Sequence, residues 1–124
     1  MGLLSGLLGN ASQADVAEVE ANLQNVLAEG ESVERAFQIV RDLMIFTRTR
    51  LIMVDIQGLT GKKREYHSIP YRAISHFSVE TAGHFDLESE LKIWISGTAE
   101  PIQRTFKAGD AIISVQKALA TYVK

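Results

Sequence analysis

Residues Arg64 to Asp86 read REYHSIPYRAISHFSVETAGHFD, a pattern of two short strands separated by a tight turn. We predict a first strand over about Arg64–Ile69, a turn marked by Pro70, and a second strand over about Ala73–Thr81. A glycine-containing turn follows and carries two polar residues, His84 and Asp86. All three histidines of the chain lie in this stretch, so it is the first place to look for chemistry.

The spacing of these histidines argues against a catalytic or metal site. His84 and Asp86 are two residues apart and project to one side of an extended chain, while His76 lies on the preceding strand. Zinc needs at least three converging ligands, and neighbouring residues of one strand alternate faces and form no catalytic triad. We therefore predict no catalytic residue, no cofactor and no metal, and we interpret the chain as a protein that is not an enzyme.

Working outward, the preceding hairpin is apolar on both faces. A strand with Val33, Phe37 and Ile39 on one face is followed by two strands that we predict over Leu43–Thr47 and Arg50–Ile56. In the strand over Arg50–Ile56, the apolar side chains of Leu51 and Met53 point to one face. Those of Ile52, Val54 and Ile56 point to the other face. A half-solvated strand would alternate with polar residues, so this hairpin is covered on both sides. One cover is the interior of the sheet, and the other is a helix or another subunit.

The two ends of the chain are predicted to be helical. Ser12 is a suitable N-cap for a helix over about 12–29 that Gly30 ends. Its apolar stripe must pack on its own domain or on a second copy; the stripe comprises Val16, Val19, Leu23, Val26 and Leu27. A C-terminal helix over about 109–123 is capped by Asp110 and has one apolar face, with Ile112, Val115, Leu119 and Tyr122. Residues 1–11 form an apolar leader that is flexible or docks its four leucines on a neighbour.

Composition narrows the possible functions. The chain has 124 residues, one domain's length, and no cysteine, which excludes disulfides and thiolate chemistry and fits a cytoplasmic protein. A net charge of −2 gives no electrostatic attraction to nucleic acid, so we predict no nucleic-acid partner. No apolar run approaches the length of a membrane-spanning helix. The turn over Gln57–Lys63 lacks the spacing of a phosphate-binding loop.

These elements predict a mainly β (α+β) domain over residues 12–124, with strands from about 31 to 107 between the two helices. About seven antiparallel strands of this kind curl into a barrel or an orthogonal sandwich, and a terminal helix closes one end. The segments FTRTRLIMVD (Phe46–Asp55) and HSIPYRAISHFSVETAGHFDLESELKIWISG (His67–Gly97) resemble the bacterial pleckstrin-homology-like (PH-like) domain family. The N-terminal MGLLSGLLGNAS and the C-terminal VQKALATYV resemble the same family, so the resemblance covers essentially the whole chain.

This resemblance implies a seven-stranded barrel capped by the C-terminal helix, with no enzymatic activity. It also implies a cyclic homo-oligomer, a dome-shaped ring that is best expected to be a pentamer. In such rings a hydrophilic surface forms where strands of adjacent protomers meet, and an unidentified protein partner is expected to bind there. The doubly apolar hairpin and the N-terminal helix point independently to such a ring if another copy covers them.

Two surfaces are candidates for binding. The predicted partner surface consists of polar residues of the central stretch and its flank: Tyr66, His67, Tyr71, Arg72, His84, Asp86 and Glu88. The alternative function is peripheral binding of anionic phospholipid headgroups, a weak membrane-surface contact through Lys62, Lys63 and Arg64. Trp94, on the polar face of its strand, either anchors an interface or is covered by a terminal helix.

Overall fold

Two antiparallel sheets and two helices make up the computed structural model, which describes residues 14–39, 42–81, 88–107 and 111–124. In chain order the elements are α1 (Val16–Asn22), β1 (Val33–Ile39), β2 (Asp42–Thr47), β3 (Arg50–Gln57), β4 (Lys63–Pro70), a 3-10 turn (Tyr71–Ala73), β5 (Ile74–Glu80), β6 (Ser89–Ile95), β7 (Ile102–Phe106) and α2 (Ala111–Tyr122). The predicted order of one helix, seven strands and one helix is confirmed. Among the described residues, no helix is both long and apolar enough to cross a membrane.

The seven strands divide between the sheets as four and three. The first sheet has the order β1-β2-β3-β4 and the second has the order β5-β6-β7. The 3-10 turn Tyr71–Ala73 carries the chain from one sheet to the other, so β4 and β5 follow each other in sequence without pairing. Both are therefore edge strands of their sheets in the described chain.

The main core lies between the two sheets and is closed by α2. Phe37, Phe46 and Leu51 of the first sheet are fully buried against Leu91 and Ile93 of the second. The predicted apolar face of α2 packs onto the same cluster through Ile112, Val115, Leu119 and Tyr122. The C-terminal helix therefore closes the barrel-like core as expected, while its predicted cap, Asp110, lies outside the described residues.

A second core lies on the other face of the first sheet, where α1 covers the β2–β3 hairpin. Val19 and Leu23 of the helix region are buried against Ile45, Ile52 and Val54. The prediction that both hairpin faces are covered is confirmed, and the cover is a helix of the same chain. The two features that pointed to a ring therefore pack against each other, and neither requires a second copy.

Helix α1 is shorter than predicted. It begins after Asp15, whose carboxylate accepts hydrogen bonds from the backbone N–H groups of Ala17 and Glu18, and it ends at Asn22 rather than near Gly30. Beyond Asn22 the chain continues in turns, in which the N–H groups of Val26 and Leu27 donate to the Leu23 carbonyl, and Arg50 Nη2 donates to the Val26 carbonyl at 2.8 Å. The predicted cap, Ser12, lies outside the described residues. Gly30 instead adopts a positive φ of 83° in the turn before β1.

The face predicted for Val33 is wrong. The register between β1 and β2 shifts between Val33 and Arg35, which turns the Val33 side chain toward the α1 core, while Phe37 and Ile39 face the main core. A bulge of this kind inserts a residue into the alternation of one strand, and simple alternation of apolar residues does not reveal it.

Candidate interaction surface

Strand β4 is exposed on both faces for most of its length. Seven of its eight residues are exposed, and only Ile69, near the turn into β5, is buried. Its partner strand β3 pairs with β2 only as far as Val54, so Asp55–Gln57 and the first residues of β4 extend beyond the sheet as a two-stranded arm. Because an isolated two-stranded ribbon has marginal stability in water, this arm is suited to contact with a partner.

Tyr66 and His67, two predicted partner residues, lie in the middle of β4. Both are exposed, and Tyr66 retains 39% of its surface. They point to opposite faces, because His67 is opposite Met53 and Tyr66 is opposite Val54 in the register with β3. A single flat partner surface therefore includes one of these side chains, whereas a strand docked along the edge of β4 reaches both.

Tyr71 does not belong to the partner surface. It is only 8% exposed, and its hydroxyl donates a hydrogen bond to the Thr47 carbonyl at 2.6 Å. Its ring stacks against Phe46 and Tyr122, and burial raises the pKa of Tyr71 well above its usual value. Tyr71 is buried because the turn at Pro70 directs its side chain inward. The ring therefore packs in the core where the chain passes from one sheet to the other.

The remaining predicted partner residues are spread along the second sheet. Arg72 is exposed just before β5 begins, and Glu88 is exposed just before β6 begins. Since Glu80 of β5 is opposite Glu90 of β6, these two sites lie near opposite ends of β5, roughly 20 Å apart at the rise of an extended chain. His84 and Asp86 lie outside the described residues.

The outer face of the second sheet carries an aromatic pair. The rings of His76 on β5 and Trp94 on β6 stack with centroids 4.4 Å apart and planes inclined by 15°. Ser75 Oγ is 3.0 Å from His76 Nδ1. Trp94 is half-buried and belongs to neither apolar core, so neither helix covers it among the described parts of the chain. An incompletely covered Trp on a sheet face is a typical anchor of an interface.

The cations of the predicted anion contact lie at the tip of the β3–β4 arm. Lys62, Lys63 and Arg64 are exposed, and none forms an ion pair with the residues that the structure describes. Leu59, at the same tip, is fully exposed at 104%. Gly58, with a φ of 81°, begins the turn that projects this leucine into solvent. Leu59 was not singled out from the sequence, because one leucine in a turn leaves no pattern.

An ion pair joins Glu31 and Arg50 in the part of the chain that the structure describes. Arg50 Nε and Nη2 donate to the two carboxylate oxygens of Glu31 at 2.9 and 2.7 Å, and Arg50 Nη1 donates to Ser68 on β4 at 2.6 Å. The hydrogen bonds from Arg50 lower the pKa of Glu31 from 4.5 to about 2. The pair therefore joins the segment before β1 to the β2–β3 turn and to β4. The two residues are far apart in sequence and form no motif.

Metal binding finds no support within residues 14–39, 42–81, 88–107 and 111–124, where no three His, Cys, Asp or Glu side chains cluster. His84 and Asp86 are not covered by this observation. The absence of a metal therefore stays a prediction.

The fold and its exposed strand edges define a PH-like interaction domain. A family model described as Bacterial PH domain matches residues 2–123. The chain therefore belongs to the bacterial pleckstrin-homology (PH) domain family, whose members are generally non-catalytic.

Several bacterial proteins match this chain over nearly the whole of their own length. The chain is 59% identical over 121 residues to the uncharacterized protein YjqA of Bacillus subtilis (strain 168), covering 97% of each chain. A crystal structure of a pleckstrin homology domain from Shewanella amazonensis SB2B has a TM-score of 0.85 and 50% identity, with 99% of both chains covered. A DUF1696 family protein with a pleckstrin-homology domain from Shewanella loihica PV-4 has a TM-score of 0.80 and 42% identity, with 91% of this chain and 97% of that chain covered.

Proposed function

We propose that this domain is a non-catalytic scaffold that assembles into a cyclic homo-oligomer and presents a polar surface to a protein partner. The observation that carries the proposal is β4, an edge strand with seven of its eight residues exposed. Its backbone hydrogen-bonding groups on the outer side have no ladder partner in the described chain. An exposed edge of this length is a template for pairing with another strand.

A ring would present several copies of the same polar surface to a partner. Repeated copies of one polar surface convert weak contacts with a multivalent partner into strong binding through effective concentration. We expect a pentamer. The candidate partner residues that are exposed are Tyr66, His67, Arg72 and Glu88, and we keep His84 and Asp86 as candidates in the turn before β6. The absence of cysteine is compatible with action in the cytoplasm, a reducing compartment.

Light scattering coupled to size-exclusion chromatography tests the assembly. We expect a single oligomeric species at micromolar concentration, and a clean monomer would refute the proposal. Capture of partner proteins by the oligomer should weaken with Arg72→Ala or His67→Ala. Arg104→Ala on β7 is a matched control, because this residue lies outside the proposed surface. Tyr71→Ala is unsuitable, since it removes a buried ring.

A second candidate function is contact with an anionic membrane surface through the arm tip. The favouring observation is that the fully exposed Leu59 projects beside Lys62, Lys63 and Arg64. An apolar side chain that enters the interface and cations that meet phosphates act together at membranes.

Co-sedimentation with liposomes tests this second function. We expect more binding to vesicles with anionic lipid than to neutral ones, with a loss on reversal of the three charges and a smaller loss for Leu59→Ser. Reversal of Lys117, an exposed cation on α2, is the control. Absence of binding at low salt would exclude this function without affecting the scaffold.

A further inference from the structure

A polar pocket opens between the segment before β1 and the β2–β3 turn. Its volume is about 710 Å³, which is in the range of small-molecule sites in proteins. Its walls are the turn residues Ala28–Ser32, Glu34 at the start of β1, and Arg48–Arg50. The pocket shares no residue with the proposed partner surface or with the arm tip.

The buried side of the pocket is formed by the Glu31–Arg50 ion pair, which is neutral as a unit. Besides Arg50, the Glu31 carboxylate accepts hydrogen bonds from the Ala28 N–H and from Thr47 Oγ1, each at 2.8 Å. These bonds join the wall before β1 to the β2–β3 turn. The pocket is therefore held in shape without a ligand, and such preorganisation lowers the entropic cost of binding.

Glu34 is directed to the pocket by the bulge of β1. The register shift between Val33 and Arg35 leaves Glu34 without a partner on β2, and bulges re-aim side chains in this way. Its carboxylate accepts a hydrogen bond from the Tyr122 hydroxyl at 2.5 Å. Burial raises the pKa of Tyr122, so the phenol stays protonated and keeps donating to Glu34. The C-terminal end of α2 therefore fixes the position of this carboxylate.

Charges of both signs line the pocket without pairing. Glu29, Glu34 and Arg48 all line it, and none of them forms an ion pair with the residues that the structure describes. Thr47 is opposite Val33 in the register of β1 with β2. Arg48 and Glu34 are the next residues along these two segments, so their backbones are neighbours. Two fixed charges of opposite sign are thus close to each other in one pocket and uncompensated by each other.

We propose that this pocket binds a small zwitterion, a molecule that carries an ammonium group and a carboxylate a few bonds apart, as amino acids and short peptides do. The ammonium group donates to Glu34 and lies near Glu29, while the carboxylate accepts from the guanidinium of Arg48. Hydrogen bonds between ionised groups are shorter and stronger than neutral ones. Binding here does not depend on the proposed assembly.

Ligands with a single charge fit this pocket less well. An anion near Arg48 meets the carboxylates of Glu29 and Glu34, which line the same pocket. A cation near those carboxylates is repelled by Arg48 and leaves that guanidinium without a counter-charge. A ligand with both signs compensates both kinds of charge at once.

Blocking one charge of the ligand at a time tests the site. The probes are triglycine, its N-acetylated form, which lacks the ammonium group, and its C-terminal amide, which lacks the carboxylate. We expect saturation-transfer NMR on the full chain to give triglycine a dissociation constant of about 1 mM, and each blocked form a constant about tenfold higher or more. This measurement observes ligand signals, so it applies to any oligomeric state. Glycine, as a fourth probe, separates a site for free amino acids, which binds it as tightly as triglycine, from a site for peptides.

Two conservative variants assign the charges to residues. Glu34→Gln should weaken triglycine binding about tenfold and leave the acetylated form unchanged, because that form has no ammonium group to lose. Arg48→Gln should weaken triglycine binding about tenfold and leave the amide unchanged, because the amide has no carboxylate. Glu100→Gln and Lys117→Gln neutralise exposed charges outside the pocket and should change none of the constants. Circular dichroism confirms that each variant is folded.

Three results would overturn the site. They are the absence of saturable triglycine binding, equal affinities for triglycine and its two blocked forms, and triglycine binding that both variants leave intact. None of them affects the scaffold function, because light scattering measures assembly separately. A monomeric protein that binds triglycine with the expected pattern would refute the scaffold and keep the pocket.

Discussion

At the residue scale, the Glu31–Arg50 pair makes the fold sensitive to acid. The pKa of Glu31 is lowered from 4.5 to about 2 in the folded protein, chiefly by hydrogen bonds from Arg50. A lowered folded-state pKa gives stability that is fully present above pH 4.5 and is lost as pH falls toward 2. The side chain of Glu31 is only 8% exposed, so solvent screens the pair weakly.

We predict that Glu31→Gln lowers the free energy of unfolding at pH 7 by about 2 kcal/mol. Below pH 4.5 the difference from wild type should shrink, because protonation removes the same charge from the wild-type protein. Urea unfolding at pH 7 and pH 3 measures both effects. Glu29→Gln changes an exposed carboxylate two residues away and should cost much less. Equal losses in the two variants would contradict the importance of the pair.

Individual side-chain roles were the part of the molecule least accessible from the sequence. Tyr71 lies in a polar stretch of the sequence. In the structure the turn at Pro70 directs its side chain into the fold, where its hydroxyl donates to the Thr47 carbonyl. Arg50 is, from the sequence, only the first residue of a predicted strand, yet it contacts Glu31, 19 residues away, and Ser68. Such partners are fixed by tertiary structure, and no local pattern encodes them.

At the element scale, the sequence predicted more because periodicity reports burial directly. The doubly apolar β2–β3 hairpin was correctly interpreted as covered on both faces, and the apolar face of α2 was correct. Periodicity shows that a face is covered without showing what covers it, so the sequence alone leaves open whether a helix of the same chain or a second copy covers the hairpin. The predicted length of α1 is wrong because the segment after Asn22 forms turns, in which the N–H groups of Val26 and Leu27 share the Leu23 carbonyl.

Because α1 covers the hairpin through few residues, one substitution should uncover it. We predict that Leu23→Ala, at a side chain only 4% exposed, lowers the free energy of unfolding by about 2–4 kcal/mol. It should also increase binding of a hydrophobic dye, since Ile45 and Ile52 lie beneath the helix region. Denaturant unfolding and dye fluorescence measure the two effects. Asn25→Ala, at an exposed position of the same segment, should change neither. An unchanged stability in Leu23→Ala would mean that another element covers the hairpin.

At the scale of the whole molecule, the two cores share the β2–β3 hairpin. Leu51 and Met53 face the main core, while Ile52 and Val54 face the α1 core. Loss of the hairpin therefore removes both cores at once, and the domain should unfold in one cooperative step. The outer edge of β4 has no ladder partner among the described residues, so pairing with another strand is one way for this unit to gain stability.

The proposed assembly predicts a thermal stability that depends on protein concentration. A copy bound to its neighbours is stabilised by mass action, so the unfolding midpoint of an oligomer rises with protein concentration. We predict that calorimetry over a hundredfold concentration range shows such a rise for the wild-type protein, of several degrees for about 1 kcal/mol in a domain of this size. A wild-type midpoint that is constant across the range would contradict the proposed assembly, because copies that bind only when folded cannot unfold without separating.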